Sequence, residues 1–210
     1  MRQIIVLSFF LLATACAPGL SPEEINLANE VGMDTLTATT IRAHGNALER
    51  LMGLNDDWES VEARGVVLRT SKNRGEAVLA KLRKELKGTG HAVYLLDQGF
   101  GFGPDSIAVL DDSDPYEYLR IVRINGINYD IDHPEVIERY RRWDDLYGLN
   151  LIGAGMDWLH AEFTTPLSDW NAFAREVYEF CPDVVDQGAG SVEALSLELQ
   201  SLNGVYLWWD

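Results

Sequence analysis

The alternation of hydrophobic and polar residues is most regular in the last third of the chain. Residues 149–154 and 157–163 alternate on either side of Gly155-Met156, which is typical of a β-hairpin. Apolar residues then recur at helical spacing, which predicts a helix from Ser168 to Pro182 and another from Ser191 to Asn203-Gly204. Residues 205–209 predict a closing strand. The first helix carries the apolar stripe Trp170, Phe173, Ala174, Val177, Phe180 and Cys181, and the second carries Val192, Leu195, Leu199 and Leu202.

The middle of the chain predicts a strand, a helix and a second strand in succession. Residues 66–68 and 92–96 are short apolar runs, and apolar positions between them fall on one helical face that ends at Gly88. This is the order of a β-α-β unit, in which we expect parallel strands and a right-handed crossover. A further strand is predicted at 106–110, after the glycine-rich segment 99–104. Helices are predicted to open at Asp114-Pro115 and at His133-Pro134.

The N-terminal part is less regular. Ser21-Pro22-Glu23-Glu24 has the sequence of a capping box, so a helix is expected to begin there. Residues 31–58 mix two patterns, and we predict mostly helices. The expected fold is mixed α/β (α+β): one sheet with a β-α-β unit, a C-terminal β-hairpin, two amphipathic helices and a closing strand. The predicted organisation is a lipoprotein signal peptide (1–15), a tether (16–20), a mostly helical region (21–63) and an α/β domain (64–210).

The first sixteen residues have the pattern of a bacterial secretory signal. A basic start is followed by an apolar run, and Ala13-Thr14-Ala15 places small residues before Cys16. This resembles a lipobox, whose cysteine thiol receives a diacylglyceryl group before the peptide is cut. We therefore expect an extracytoplasmic protein, anchored to a bacterial membrane through lipid on Cys16 and periplasmic where two membranes are present. An ordinary cleaved signal peptide is the open alternative. An uncleaved anchor is disfavoured, because about ten apolar residues are too few for a hydrocarbon core that needs roughly 20.

Charge and cysteine content narrow the class of protein. The chain has 17 basic and 33 acidic residues, a net charge of -16, so no nucleic-acid partner is expected. Residues 143–210 contain twelve acids and one base, Arg175, and this acidic half either faces a cationic partner or keeps the surface solvated. If Cys16 carries lipid, Cys181 has no partner for a disulfide. We expect Cys181 to be a buried, reduced and unreactive thiol.

Three segments near the end of the chain resemble one bacterial family. They are the run from Cys181 to Gly188, the helix start Ser191-Val192-Glu193, and the terminal Tyr206-Leu207-Trp208-Trp209-Asp210. Together they resemble the C-terminal signature of domain of unknown function 4253, over roughly the second half of the chain. The family name implies no activity, so candidate sites have to come from the residues.

Two groups of residues are candidate binding sites. One is an acidic loop and chain end beside tryptophans, which suits a cation, a sugar or a peptide. The other is one face of the predicted hairpin, which suits a sugar ring or proton transfer. For both, a purely structural role is the competing interpretation. The first group comprises Asp183, Asp186, Gln187, Trp208 and Asp210, and the second comprises Trp158, His160 and Glu162.

A third candidate is an anion site at the helix start in the β-α-β unit. Ser71, Lys72 and Arg74 flank backbone N–H groups there, although a capped helix with exposed bases is the alternative. We expect no cofactor and no metal. Residues 128–132 alternate like a calcium loop but lack its glycine and closing glutamate, and no Walker, nucleophile-elbow or His-Glu-x-x-His motif occurs in the sequence.

These patterns favour a lipid-anchored cell-envelope protein that binds a protein or an envelope polymer. One alternative is an envelope hydrolase acting on glycan or peptide, with Glu162, His160, Asp183 or Asp186 as acid or base. Another is a toxin-neutralising protein of the immunity type, whose acidic face blocks a basic toxin. The sequence leaves open whether the protein is an enzyme.

Overall fold

The computed structural model describes residues 19–99 and 101–210, so the expected signal peptide, Cys16 and the first residues of the tether lie outside it. One sheet of seven strands runs through these residues, with helices on both of its faces. The strands are β1 (Leu48–Leu54), β2 (Ser60–Arg69), β3 (His91–Asp97), β4 (Ser106–Asp111), β5 (Leu149–Ala154), β6 (Trp158–Phe163) and β7 (Gly204–Trp208). The α-helices are α1 (Pro22–Glu30), α2 (Thr35–Arg42), α3 (Gly75–Glu85), α4 (Glu117–Val122), α5 (His133–Tyr147), α6 (Trp170–Phe180) and α7 (Val192–Leu202). A 3₁₀ turn covers Ile127–Tyr129, and a π-helix covers Val184–Ala189.

The strand order is β1-β2-β4-β3-β5-β6-β7, with β3 and β5 parallel and the other neighbouring pairs antiparallel. The predicted succession β2-α3-β3 is present, and β2 and β3 run parallel. They are not neighbours, because β4 lies between them and pairs antiparallel with both. The glycine-rich segment explains why β4 lies beside β3. The N–H groups of Phe102 and Gly103 both donate to the carbonyl of Gly99, at 2.7 and 3.1 Å, and this tight turn folds β4 back along β3.

The two faces of the sheet are covered unequally. Helices α4 to α7 pack on one face along the sheet and build the larger core, which extends from Leu51 in β1 to Trp209 after β7. Helices α1, α2 and α3 pack on the opposite face. The sheet residues fully buried in that second core come from β1 to β5 and end at Ile152. On β6 and β7, the same face presents half-exposed aromatic side chains.

The N-terminal region was expected to be mostly helical, but it contains strand β1 and the start of β2 as well as helices α1 and α2. The capping box at Ser21 begins α1 as predicted, and α2 follows. Residues 48–54 then form the edge strand β1, because Leu48 and Leu51 bury their side chains while the backbone pairs with β2. β2 begins at Ser60 and runs past residue 64, so the two regions separated in the sequence analysis share one sheet.

The last third of the chain follows the prediction. β5 and β6 form the expected hairpin, and α6, α7 and β7 occur where hydrophobic spacing places them. α6 is capped by Asp169, one residue after the expected Ser168, because the Asp169 carboxylate accepts the N–H of Ala172 at 2.9 Å. Among the helices that the structure describes, none is long and apolar enough to cross a membrane.

Candidate functional site

The uncovered part of the sheet brings together five predicted or neighbouring side chains. In the β6–β7 pair, Trp158 lies opposite Trp208, and His160 lies opposite Tyr206. Residues opposite each other in a ladder point to the same face, as do alternate residues of one strand. Trp158, His160, Glu162 and Tyr206 therefore share one face, which we call the aromatic face. Trp208 lies at its edge, where the indole packs against the larger core beside Gly188 of the π-helix. The residues that alternate with those of the aromatic face point to the other face and are buried in the core. They are Leu159, Ala161, Phe163, Val205, Leu207 and Trp209.

The rings of the aromatic face are held in place by one another and by the backbone. Trp158 and Tyr206 stack nearly parallel, with ring centroids 5.9 Å apart. Tyr206 also lies beside His160, at a centroid distance of 5.8 Å. The Trp158 indole covers Gly155, where an added Cβ would clash with its Nε1. Because these rings are half-exposed yet fixed, they form a preorganised apolar surface.

An open groove of about 530 Å³ lies at the end of the aromatic face formed by the tips of β6 and β7. Four aromatic side chains line it, and polar residues from three parts of the chain form its rim. This combination of aromatic walls and a few polar groups is typical of ligand sites. The groove is lined by Gln98, Asp157, Trp158, Tyr206, Trp208, Trp209 and Asp210.

His160 is the buried member of the aromatic face. Its side chain is 7% exposed, and its Nε2 has no hydrogen-bond partner among the described residues. Burial lowers the pKa of His160, Glu162 and Glu76 raise it, and Arg83 lowers it, with a net decrease. The imidazole is therefore neutral at pH 7. Since Nε2 is enclosed and does not line the groove, this arrangement does not place it against a substrate.

Asp183 holds the end of the chain against the π-helix. The residue is 1% exposed, and its carboxylate accepts hydrogen bonds from the Tyr129 hydroxyl, from Nε2 of Gln187 at 2.8 Å and from the backbone N–H of Asp210 at 2.9 Å. Burial raises the pKa of Asp183, but these three donors lower it, and the net pKa lies below the ordinary value. Asp183 and Gln187 thus have a structural role, which is the interpretation that competed with a site.

The remaining predicted residues of the loop and terminus separate into two places. Asp186 is exposed and accepts a hydrogen bond from the Tyr178 hydroxyl at 3.0 Å, away from the groove. Trp208 and Asp210 line the groove together with Trp158 from the hairpin. Only these members of the two predicted groups therefore meet in the groove, and Glu162 lies at the other end of β6, opposite Gly204.

Cys181 is buried and free, as expected. Its Sγ donates to the carbonyl of Trp208 at 3.0 Å. Burial raises the pKa of this thiol to about 12, so it stays protonated and inert at neutral pH. Cys181 therefore helps to fix β7 and takes no part in the groove.

The predicted anion site at the start of α3 is filled by a carboxylate of the chain itself. Asp105 is 5% exposed, and one of its oxygens accepts the backbone N–H groups of Arg74 and Gly75, at 2.8 and 2.7 Å. Its other oxygen accepts the N–H of Gly99 at 3.0 Å. These helix donors are therefore unavailable to an external anion, and Ser71, Lys72 and Arg74 remain as exposed side chains around a capped helix.

The candidate residues from the sequence did not include Gln98, Asp157, Tyr206 or Asp105. Asp157 begins the second predicted strand of the hairpin, so its proximity to Trp158 was predictable. Gln98 reaches the groove because β3 runs parallel to β5 and ends beside the hairpin tip, and no local pattern encodes that strand order. Within residues 19–99 and 101–210, no group of three or more His, Cys, Asp or Glu side chains is arranged to hold a metal ion.

Comparison with known proteins gives one match. A family model described as a domain of unknown function (DUF4253) matches residues 106–210, from β4 to the last residue. No curated protein and no solved structure matches the chain.

Proposed function

The chain belongs to the family of domain of unknown function 4253, and since that description names no activity, we propose a function from the residues themselves. The protein is a lipid-anchored cell-envelope protein, and its aromatic face binds a glycan of the envelope. Binding, and not hydrolysis, is its role.

The observation that supports binding is the stacked, half-exposed pair Trp158 and Tyr206 beside Trp208 on the uncovered part of the sheet. Apolar C–H faces of sugar rings stack on such aromatic surfaces, and sugar hydroxyls bond to polar groups at the rim. Gln98 and the carboxylates of Asp157 and Asp210 provide those groups. The four candidate acids and bases argue against hydrolysis in the groove. Asp183 is fully engaged and Nε2 of His160 is enclosed. Asp186 and Glu162 are exposed but do not line the groove.

The position of Cys16 supports a partner near the membrane. Five residues separate Cys16 from Pro22, where α1 begins. Even a fully extended segment of this length spans only about 20 Å. If Cys16 carries lipid, the domain stays close to the bilayer, where an envelope polymer is within reach.

Glycan binding is tested by co-sedimentation of the full chain with purified envelope glycan. We expect Tyr206→Ala and Trp158→Ala to reduce the bound fraction about tenfold or more, since a sugar ring loses its stacking partner when an aromatic side chain is removed. Trp58→Ala is the matched control, because Trp58 is 47% exposed but lies in the β1–β2 turn. Asp157→Asn removes one carboxylate from the rim without changing the core, and it is also expected to weaken glycan binding.

Equal glycan binding by wild type, Tyr206→Ala and Asp157→Asn would contradict the proposal. Loss of binding in Trp58→Ala to the same degree would show that exposed indoles bind without specificity.

Anchoring is tested separately by membrane fractionation and mass spectrometry. Cys16→Ser is expected to release the protein from membranes or to leave an uncut precursor, because the acceptor thiol is gone. Wild-type protein that is fully soluble and carries no lipid mass would refute the anchor and leave the groove proposal standing.

A further inference from the structure

The sheet opens between β3 and β5, at the end where both strands begin. The register of this parallel pair is defined at Leu95 and Gly153. Two residues earlier on each strand, the backbone carbonyls of Val93 and Leu151 are both bonded to the guanidinium of Arg83 from α3. Its Nε and Nη2 donate to Val93 at 3.0 and 2.8 Å, and Nη2 also donates to Leu151. Arg83 thus bridges the two strands in place of direct pairing.

The guanidinium of Arg83 is a half-buried cation without a carboxylate partner among the described residues. Three of its N–H groups are used on backbone carbonyls. Nη1 makes one long contact, 3.4 Å to Oδ1 of Asn150, and so retains donor capacity. The charge of Glu162 favours the Arg83 cation from beyond salt-bridge distance. Because no carboxylate of the described chain contacts the guanidinium directly, a bound anion would offset the cost of its removal from water.

A cleft of about 510 Å³ opens onto this guanidinium. Its size falls within the usual range for small-molecule sites. Its apolar wall is formed by Leu86, Ala92 and Pro115. Two further basic residues, Lys87 and His91, line the same cleft as Arg83.

Two phenol groups line the cleft beside Arg83. The Tyr94 ring centroid lies 6.0 Å from the guanidinium carbon, and Tyr140 is packed close by. Neither hydroxyl has a hydrogen-bond partner within the described part of the chain, and neither is an enclosed atom. Burial raises the pKa of both phenols, to about 12 for Tyr94, so they remain protonated donors.

Acidic residues at the cleft limit the charge of a ligand. Asp144 lines the cleft, but its oxygens accept the N–H of Leu149 at 2.8 Å and the Tyr116 hydroxyl at 3.3 Å. Asp112 lies exposed at the rim. A phosphate group carries about -1.5 to -2 charges and would be repelled by both. A singly charged carboxylate matches one guanidinium edge and two phenol donors.

We propose that the cleft between the starts of β3 and β5 binds a small organic monocarboxylate, with its carboxylate on Nη1 of Arg83 and the hydroxyls of Tyr94 and Tyr140, and its apolar body against Leu86 and Pro115. This site is separate from the glycan groove, which lies at the opposite end of β6. The protein would therefore recognise two ligands of different chemistry.

Titration calorimetry of the full chain with benzoate, acetate, inorganic phosphate and benzylamine tests the site. Benzoate is expected to bind saturably and more tightly than the other three probes. Tyr94→Phe and Tyr140→Phe keep the packed rings, and each is expected to weaken benzoate binding about tenfold, because each removes one hydrogen bond to a charged group. Arg83→Lys should weaken it further. Tyr178→Phe and Arg142→Lys are the matched controls outside the cleft and should leave binding unchanged.

Absence of saturable benzoate binding overturns the proposal, as does tighter binding of phosphate or benzylamine. Unchanged benzoate binding in both Tyr94→Phe and Tyr140→Phe overturns it as well. If Arg83→Lys fails to fold because it loses the strand bridge, the two phenylalanine variants decide the question.

Discussion

At the scale of single residues, the structure assigns different tasks to side chains that look alike in the sequence. Asp105 caps α3, Asp183 holds the end of the chain, and Asp186 is exposed on the surface. Their roles depend on which donors surround them, and those donors come from distant segments. Sequence alone therefore placed Asp183 and Asp186 together as candidates, whereas burial and hydrogen bonds separate them.

Asp183→Asn is expected to lower the free energy of unfolding by about 1.5–3 kcal/mol, the usual range for hydrogen bonds to a charged group. Three donors face this carboxylate, and an amide presents its NH₂ to at least one of them. Urea denaturation at pH 7 measures the change. Asp186→Asn is the control and should stay within about 0.5 kcal/mol, because Asp186 is exposed. Equal effects in the two variants would contradict the structural role of Asp183.

His160 makes stability depend on pH in a defined direction. Burial holds the pKa of folded His160 below its ordinary value of 6.5, so in the range just below pH 6.5 the unfolded chain binds a proton that the folded chain does not. The free energy of unfolding should therefore fall as the pH falls from 7 to 5, by up to about 1.4 kcal/mol per pH unit for this proton.

The control for this pH effect is His160→Gln, which removes the titrating group. Its stability should decline less steeply over the same pH range. A residual decline is expected, because burial also lowers the pKa of His133. Thermal unfolding at several pH values gives both curves. Parallel curves for wild type and variant would show that His160 is not the group responsible.

At the scale of secondary-structure elements, the sequence patterns predicted those helices and strands that depend on local interactions. The β5–β6 hairpin, α6, α7 and β7 follow directly from alternation, caps and helical spacing. The insertion of β4 between β2 and β3 did not follow, because strand order is set by long-range packing. The same distinction applies to the groove. Trp158 and Tyr206 were placeable from alternation, whereas Gln98 reaches them only through the parallel pairing of β3 with β5.

Gly153→Ala is expected to destabilise the protein by about 2 kcal/mol or more, through overpacking at the one registered position between β3 and β5. An added Cβ at residue 153 would clash with the carbonyl oxygen of Leu95. Gly103→Ala is the matched control, since its Cβ would have no neighbour nearer than 3.9 Å. Denaturant unfolding of both variants tests this junction. Similar free energies of unfolding would mean that β3 and β5 can move apart at residue 153 without loss of stability.

At the scale of the whole molecule, the family match and the sheet have different boundaries. The match begins at residue 106, the first residue of β4. β4 pairs with β2 and β3, and β3 also separates β4 from β5. The matched segment therefore contains β4 together with β5, β6 and β7, but lacks the strand that connects them. It also lacks α1, α2 and α3, which cover the second face of the sheet.

A fragment of residues 106–210 is accordingly expected not to fold by itself. Without β3, the paired edges of β4 and β5 are exposed, and Ile107 and Val109 lose the core that α3 covers. Residues 21–210 retain all seven strands and serve as the control. Circular dichroism during thermal unfolding, together with amide NMR spectra, compares the two. The longer chain should show a cooperative transition and dispersed amide signals, and the fragment should show neither. A cooperative, well-dispersed fragment would instead make the matched segment an autonomous domain, and β1 to β3 an addition to a fold that is complete without them.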